Sequence, residues 1–265
     1  MKNLIYIATI VILSASCQKV IDVPVNDAEI QTVVEGTLFD EPNKSSVKIS
    51  KSGTVYDDTG FPAVTGAVVV VSDDQGNSWT FVEDVAVPGM YRDSSFVAQP
   101  NTTYYLNITN GDDVYTSESA TQSDIAFDSL DYEITVGGFG QQSADTNFFT
   151  FFNFTDNGAE TNYYRAIPVI NGKRSNTYYL SDDELYNGGT YRQPFFAEEM
   201  KSGDTLQAYL YSMDKANYTF FYTLSNNQGG SPFSPTPGNP VSNIEGGAIG
   251  YFGVYMTDND TLIFP

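Results

Sequence analysis

Residues 64–81 read "VTGAVVVVSDDQGNSWTF". Thr65-Gly66-Ala67-Val68-Val69-Val70-Val71 reads as a buried strand, Asp73-Asp74-Gln75-Gly76-Asn77 ends it, and Ser78–Glu83 alternates as its partner strand. An apolar run, a cluster of turn residues and an alternating run predict a hairpin. The pattern extends both ways. Upstream, Gln31–Phe39 stops at Asp40-Glu41-Pro42-Asn43, and Ser46–Ser50 alternates Val47 and Ile49 with polar neighbours. Downstream, Pro88-Gly89 turns into Met90–Phe96, Pro100-Asn101 into Thr103–Thr109, and Asn110-Gly111 into Val114–Ser117. About seven short strands at this spacing predict a β-sandwich over residues 29–120.

A second block follows over residues 121–265. Strands are predicted at Asp131–Val136, Phe148–Thr155, Asn162–Ile170, Thr190–Ala197, Thr205–Ser212 and Gly247–Met256. One helix is predicted near 214–226, with Ser212 as N-cap and Asp214 near the positive end of its dipole. Ala216, Phe220 and Leu224 share a face, with Phe221 beside it, so this helix should pack on the sheet. The fold class is therefore mainly β: a sandwich, then a β-rich domain with one packed helix. Residues 229–243, "GGSPFSPTPGNPVSN", hold four prolines. Long loops of this kind are often functional, which makes Phe233, Asn239, Pro240 and Asn243 candidate partner contacts. The alternative is a turn that delivers the final strand to the core. Pro240 holds Asn239 extended, Asn243 can close an Asx-turn, and Gly246, Gly247 and Gly250 permit positive φ or close approach.

The amino end has a different texture. Lys2 precedes ten apolar or small residues, Leu4 to Leu13, and then Ser14-Ala15-Ser16-Cys17. This is a signal-peptide pattern over residues 1–16. As a helix the run reaches only about 15 Å, half of a bilayer core. Small residues before the sole cysteine resemble the lipobox of bacterial lipoproteins, although Ser14 holds the place usually taken by leucine and Leu13 comes one earlier. The resemblance implies acylation of Cys17, and more than one acyl chain would anchor stably. Residues 17–28, polar with Pro24, suit a lipidated tether. Lys19 and Asp22 look like the surface-export signal of Bacteroidota lipoproteins.

Composition excludes several chemistries. The chain has no histidine and one cysteine, so Ser-His-Asp and Cys-His nucleophilic sites and ordinary zinc sites are ruled out. No cofactor is expected. With 33 acids against 12 bases the formal charge is −21; loss of Lys2 on cleavage would make it −22. Such a surface repels nucleic acid and makes direct adsorption to anionic lipid unfavourable, so a membrane link should be covalent. Asp73–Asn77 and Asp258-Asn259-Asp260 could offer calcium oxygens, but neither matches an EF-hand loop, and both read as turns. The 19 Tyr and 18 Phe read mainly as core and cross-strand pairs.

Two resemblances emerge from longer motifs. "VTGAVVVVSDDQGNSWTF", "PGMYRDSSF" and "PNTTYYLNIT", in that order, resemble prealbumin-like or carboxypeptidase-regulatory-like sandwiches, which are binding or spacer modules. "VVEGTLFD" (33–40), "AFDSLDYEI" (126–134), "NYYRAIPVINGK" (162–173), "SDDELYNGG" (181–189), "YLYSMDKANYTFFYTLSNNQ" (209–228) and "GNPVSNIEGGAIGYFGVY" (238–255) together resemble the Bacteroidota lipoprotein family catalogued as domain-of-unknown-function family 4249. That resemblance implies an outer-membrane lipoprotein, lipid-anchored, at the cell surface or the periplasmic face, and an accessory role beside a TonB-dependent transporter. It supplies no catalytic residues. The expectation is a non-catalytic accessory or cargo-binding protein. The alternatives are a free-standing glycan- or peptide-binding lipoprotein, which needs an exposed aromatic platform, and a hydrolase built on two facing carboxylates.

Overall fold

The computed structural model describes residues 29–53, 60–136, 146–195, 200–227 and 238–265. Within them the fold is mainly β, as predicted. The N-terminal half supplies β1 (Thr32–Phe39), β2 (Ser46–Lys51), β3 (Val68–Asp73), β4 (Ser78–Glu83), β5 (Met90–Arg92), β6 (Thr103–Asn110) and β7 (Asp113–Ala120). The predicted hairpin forms: β3 and β4 are antiparallel, with Val69 opposite Phe81 and Val71 opposite Trp79. Its turn is closed by Asp73, whose Oδ1 accepts the amides of Gln75 at 3.0 Å and Asn77 at 2.7 Å.

The second half supplies β8 (Phe127–Val136), β9 (Thr146–Thr155), β10 (Tyr163–Ile170), β11 (Lys173–Arg174), β12 (Tyr179–Asp182), β13 (Thr190–Pro194), β14 (Thr205–Met213), α1 (Lys215–Asn227) and β15 (Ile249–Ile263). One long sheet runs in the order β11-β10-β14-β15-β1-β2-β5-β4-β3-β6-β7, with β12 also paired to β10; β13-β9-β8 form a second sheet. The two halves are joined at β15. Its first part lies parallel to β1, from Val33 opposite Ile249 to Phe39 opposite Tyr255. Its second part lies antiparallel to β14, from Ser212 opposite Met256 to Thr205 opposite Ile263. Phe252 and Val254 of this last strand thus belong to the N-terminal core, together with Val34, Leu38, Phe81 and Leu106.

Alternation builds the cores. On β14 the residues Leu206, Ala208 and Leu210 face back and are fully buried against Phe152, Phe154 and Phe195 of the second sheet and its flank. Tyr209 and Tyr211 face front. There α1 covers one end of the sheet, burying Phe220 and Phe221 near Tyr255.

Several local expectations are corrected. The N-cap of α1 is Asp214, whose Oδ1 accepts the Asn217 amide at 2.8 Å. Ser212 lies inside β14 with its hydroxyl buried and unpartnered. Ala216 is exposed, and Asn217 takes the buried place instead. Asp258-Asn259-Asp260 is no turn but part of β15. Asp258 accepts the Phe127 amide at 2.7 Å and Asp260 the Leu130 amide at 2.9 Å, which fastens the start of β8 to the main sheet. The strands β11 and β12 were not foreseen, and β15 runs seven residues past the predicted end at Met256.

Candidate ligand cleft

Cys17 and Phe233 lie outside the described residues. Asn239 is exposed and Pro240 half-buried. Asn243 forms no Asx-turn. Its Nδ2 donates to the Phe252 carbonyl at 2.8 Å and its Oδ1 accepts the Phe252 amide at 2.9 Å, so the side chain imitates a neighbouring strand. Asn217 donates to the same carbonyl at 2.9 Å and accepts from the Tyr255 hydroxyl at 3.1 Å. Ser119 donates to Asp214 at 2.5 Å and accepts the Val254 amide at 3.1 Å. Gly253 leaves room for this network, since a Cβ there would collide with the Tyr255 hydroxyl and the Asn217 carbonyl. Asn243 is thus part of the joint between β7, α1 and β15, and of the predicted contact residues that are described Asn239 is the most exposed, with Pro240 and Asn243 both half-buried.

The structure brings different residues together on the front face. Along β10, Arg165, Ile167 and Val169 alternate onto one side. Arg165 stands opposite Tyr211 and Ile167 opposite Tyr209. Asn171 and Gly172 have φ of 49° and 80°, a two-residue hairpin turn that sets Arg174 opposite Val169. Arg174 therefore shares the face of Arg165. Asn171 is itself held by Asp204, whose carboxylate it meets at 2.8 Å.

A cleft of about 230 Å³ opens here, floored by Ile167, Val169, Tyr209 and Tyr211 and rimmed by Glu41, Lys44 and Arg174. The rim loop is fixed at both ends. Asp40 accepts the Thr257 amide at 3.0 Å and its hydroxyl at 2.7 Å, and Ser45 accepts the Phe39 amide at 2.9 Å. A second, more polar opening of about 400 Å³ adjoins it, lined by Arg165, Arg174, Ser175, Asn176 and Tyr178. Arg174 is common to both.

The electrostatics are unusual for so acidic a chain. The chain has four arginines. Arg92 pairs with Asp84 at 3.3 Å, and Arg192 with Asp131 at 3.2 Å and Glu133 at 3.0 Å. Arg165 and Arg174 have no carboxylate partner among the described residues. Arg165 lies over two rings instead, 4.1 Å from the centroid of Phe221 and 4.8 Å from that of Tyr178, and its Nε is buried without a hydrogen bond. Burial depresses its pKa, and the charge of Arg174 adds to the depression. Tyr211 is shifted upward by burial, against the opposing pull of both arginines.

A third cleft, of about 410 Å³, runs beside β6 and β7 and is lined by Glu118, Asn243 and Glu245 among others. Among the described residues no cluster of three metal-ligating side chains occurs, and no helix is long and apolar enough to cross a membrane.

Sequence reasoning missed Arg165 and Arg174. The signal was present in Asn171-Gly172, a hairpin dipeptide that fixes the register of the basic pair after it.

The protein so described is a mainly β chain with an open cleft of arginine and tyrosine. The family described as Domain of unknown function (DUF4249) matches residues 18–261, and the chain belongs to it. No curated protein matches the chain.

Proposed function

We propose that this protein is a non-catalytic, lipid-anchored outer-membrane protein of the Bacteroidota that acts as an accessory or cargo-binding partner of a TonB-dependent transporter. The observation that carries the binding role is the front-face cleft, where two arginines without carboxylate partners meet half-buried tyrosines in a chain of formal charge −21. The anchoring role rests on Cys17 directly behind a signal-peptide pattern. A free-standing glycan- or peptide-binding lipoprotein is the second reading, favoured by the rings of Tyr209 and Tyr211, which floor an open cleft.

Two experiments separate the parts. Labelling cells with an alkyne fatty acid should mark the wild type and leave Cys17→Ser unmarked and soluble; equal labelling of both defeats the anchor. Purification in mild detergent, under conditions that preserve known lipoprotein–transporter pairs, should bring down a transporter-sized companion. Recovery of the protein by itself defeats the accessory role and leaves the free-standing reading.

A further inference from the structure

We propose that the front-face cleft binds a ring-bearing carboxylate, its oxyanion held by Arg165 and Arg174 and its ring packed against Tyr209 and Tyr211. The inference takes from the proposed function only that this cleft binds a ligand.

Charge is the first argument. Two guanidinium groups that line one opening repel each other, and Arg165 is partly withdrawn from water. A structural arginine withdrawn from water would be expected to carry a carboxylate partner; even the exposed Arg92 and Arg192 do. Here 33 acids are available in the chain, yet none described comes within ion-pair distance of either. Glu41, the acid on the cleft rim, makes no ion pair with Lys44 or Arg174. Positive charge is thus kept available where burial makes it costly, which fits an anion that arrives from outside. Guanidinium presents a planar fork that matches a carboxylate in a bidentate way.

Preorganisation is the second argument. Phe221 and Tyr178 hold the Arg165 guanidinium by its face, and the Asn171-Gly172 turn fixes the register of Arg174. Arg165 therefore has little side-chain freedom left to lose on binding, while the turn fixes where the Arg174 side chain starts.

Size and shape give the ring. The apolar-floored part of the cleft measures about 230 Å³. A closed cavity of about 150 Å³ accepts benzene, so one six-membered ring fits, with its carboxylate reaching the adjoining opening that Arg165 and Arg174 line. Aromatic rings pack offset-stacked or edge-to-face, and Tyr209 and Tyr211, with planes 59° apart, can meet one guest ring in both ways.

The test is a ligand-observed NMR titration of the purified full-length protein with benzoate, its neutral counterpart benzamide, and inorganic phosphate. Saturable binding of benzoate in the millimolar range at low salt is expected, weakening as salt rises. Arg174→Gln, at an exposed position, should weaken it by about tenfold, the worth of one charge-assisted hydrogen bond. Arg165→Gln should do the same or more, with thermal unfolding confirming that the variant folds. Glu41→Gln should tighten binding about twofold, because an opposing charge leaves the rim. Arg92→Gln should change nothing. The proposal is overturned if benzoate shows no saturable binding up to about 50 mM, if benzamide binds as well as benzoate, if phosphate binds as tightly as benzoate, or if Arg174→Gln and Arg165→Gln leave the affinity unchanged. None of these outcomes depends on lipidation or on a transporter, so this inference and the proposed function can fail separately.

Discussion

Asn243 pairs with both backbone groups of Phe252, nine residues further along the chain, at 2.8 and 2.9 Å. One side chain thereby satisfies a carbonyl and an amide at the heart of the joint between the two halves. Asn243→Ala should destabilise the protein by about 1–3 kcal/mol, the cost of leaving the Phe252 amide unpaired while Asn217 still serves the carbonyl. Asn243→Asp keeps the acceptor for that amide but sets a carboxylate oxygen against the Phe252 carbonyl, so it should not rescue the loss. Chemical denaturation measures this. A midpoint unchanged in Asn243→Ala would show that the pairing carries no stability.

Gly250 is the tightest point of the parallel pairing. Its φ is +122°, and a Cβ would collide with the carbonyl of Val34. Gly250→Ala should therefore prevent β15 from docking on β1 and cost about 3 kcal/mol or more, at the upper end of single-residue effects. Gly76→Ala is the control. Gly76 also has positive φ, +89°, but open space around it, and should cost only about 1 kcal/mol. Thermal unfolding of both variants tests the ranking, and equal losses would contradict it.

The carboxylates of Asp258 and Asp260 hold the amides of Phe127 and Leu130. Replacing either by alanine should speed hydrogen exchange at its partner amide by roughly tenfold or more, since a hydrogen bond to a charged group contributes about 1.5–3 kcal/mol. Exchange at Leu106, deep in the other core, should not change. Uniform acceleration across the chain would mean global loss of stability and not the local unfastening expected.

Acid should weaken the hairpin turn. Burial alone would raise the pKa of Asp73, but hydrogen bonds from the Asn77 side chain and from the amides of Asn77, Gln75 and Gly76 outweigh it and set the pKa below 3.8. A carboxylate with a depressed folded-state pKa stabilises the fold above its ordinary value and loses that contribution as pH falls through the folded value. Asp73→Asn should thus unfold at a lower temperature than wild type near neutral pH, and the gap should narrow below about pH 4. A gap that stays constant with pH would remove the carboxylate from the explanation.

The strands of the N-terminal half were legible because each carries its own signal: β-branched or alternating residues bounded by Gly, Pro, Asn and Asp. Ser78–Glu83 was read to the residue. What the sequence hid was long-range. Asn243 looks like a turn former, since Asn bonds locally in most chains, and only the return of Phe252 beside it reveals its role. Asp258 and Asp260 look like a turn because acids are usually solvated; here they face a neighbouring sheet and take its amides. Asn217 was passed over for Ala216 because helix patterns count apolar residues and miss a buried amide that is fully hydrogen-bonded. The cleft was invisible for the same reason. Arg165 and Tyr211 are 46 residues apart, and only the β10–β14 register sets them side by side.

The placement of β15 has a consequence for synthesis. β1 has as its permanent neighbour a strand made much later, β15, so β1 keeps one edge open on the ribosome until β15 has been synthesised. Folding of the amino-terminal half must wait for β15, and a nascent chain truncated before Ile249 should remain a substrate for chaperones and proteases however complete its early hairpins are.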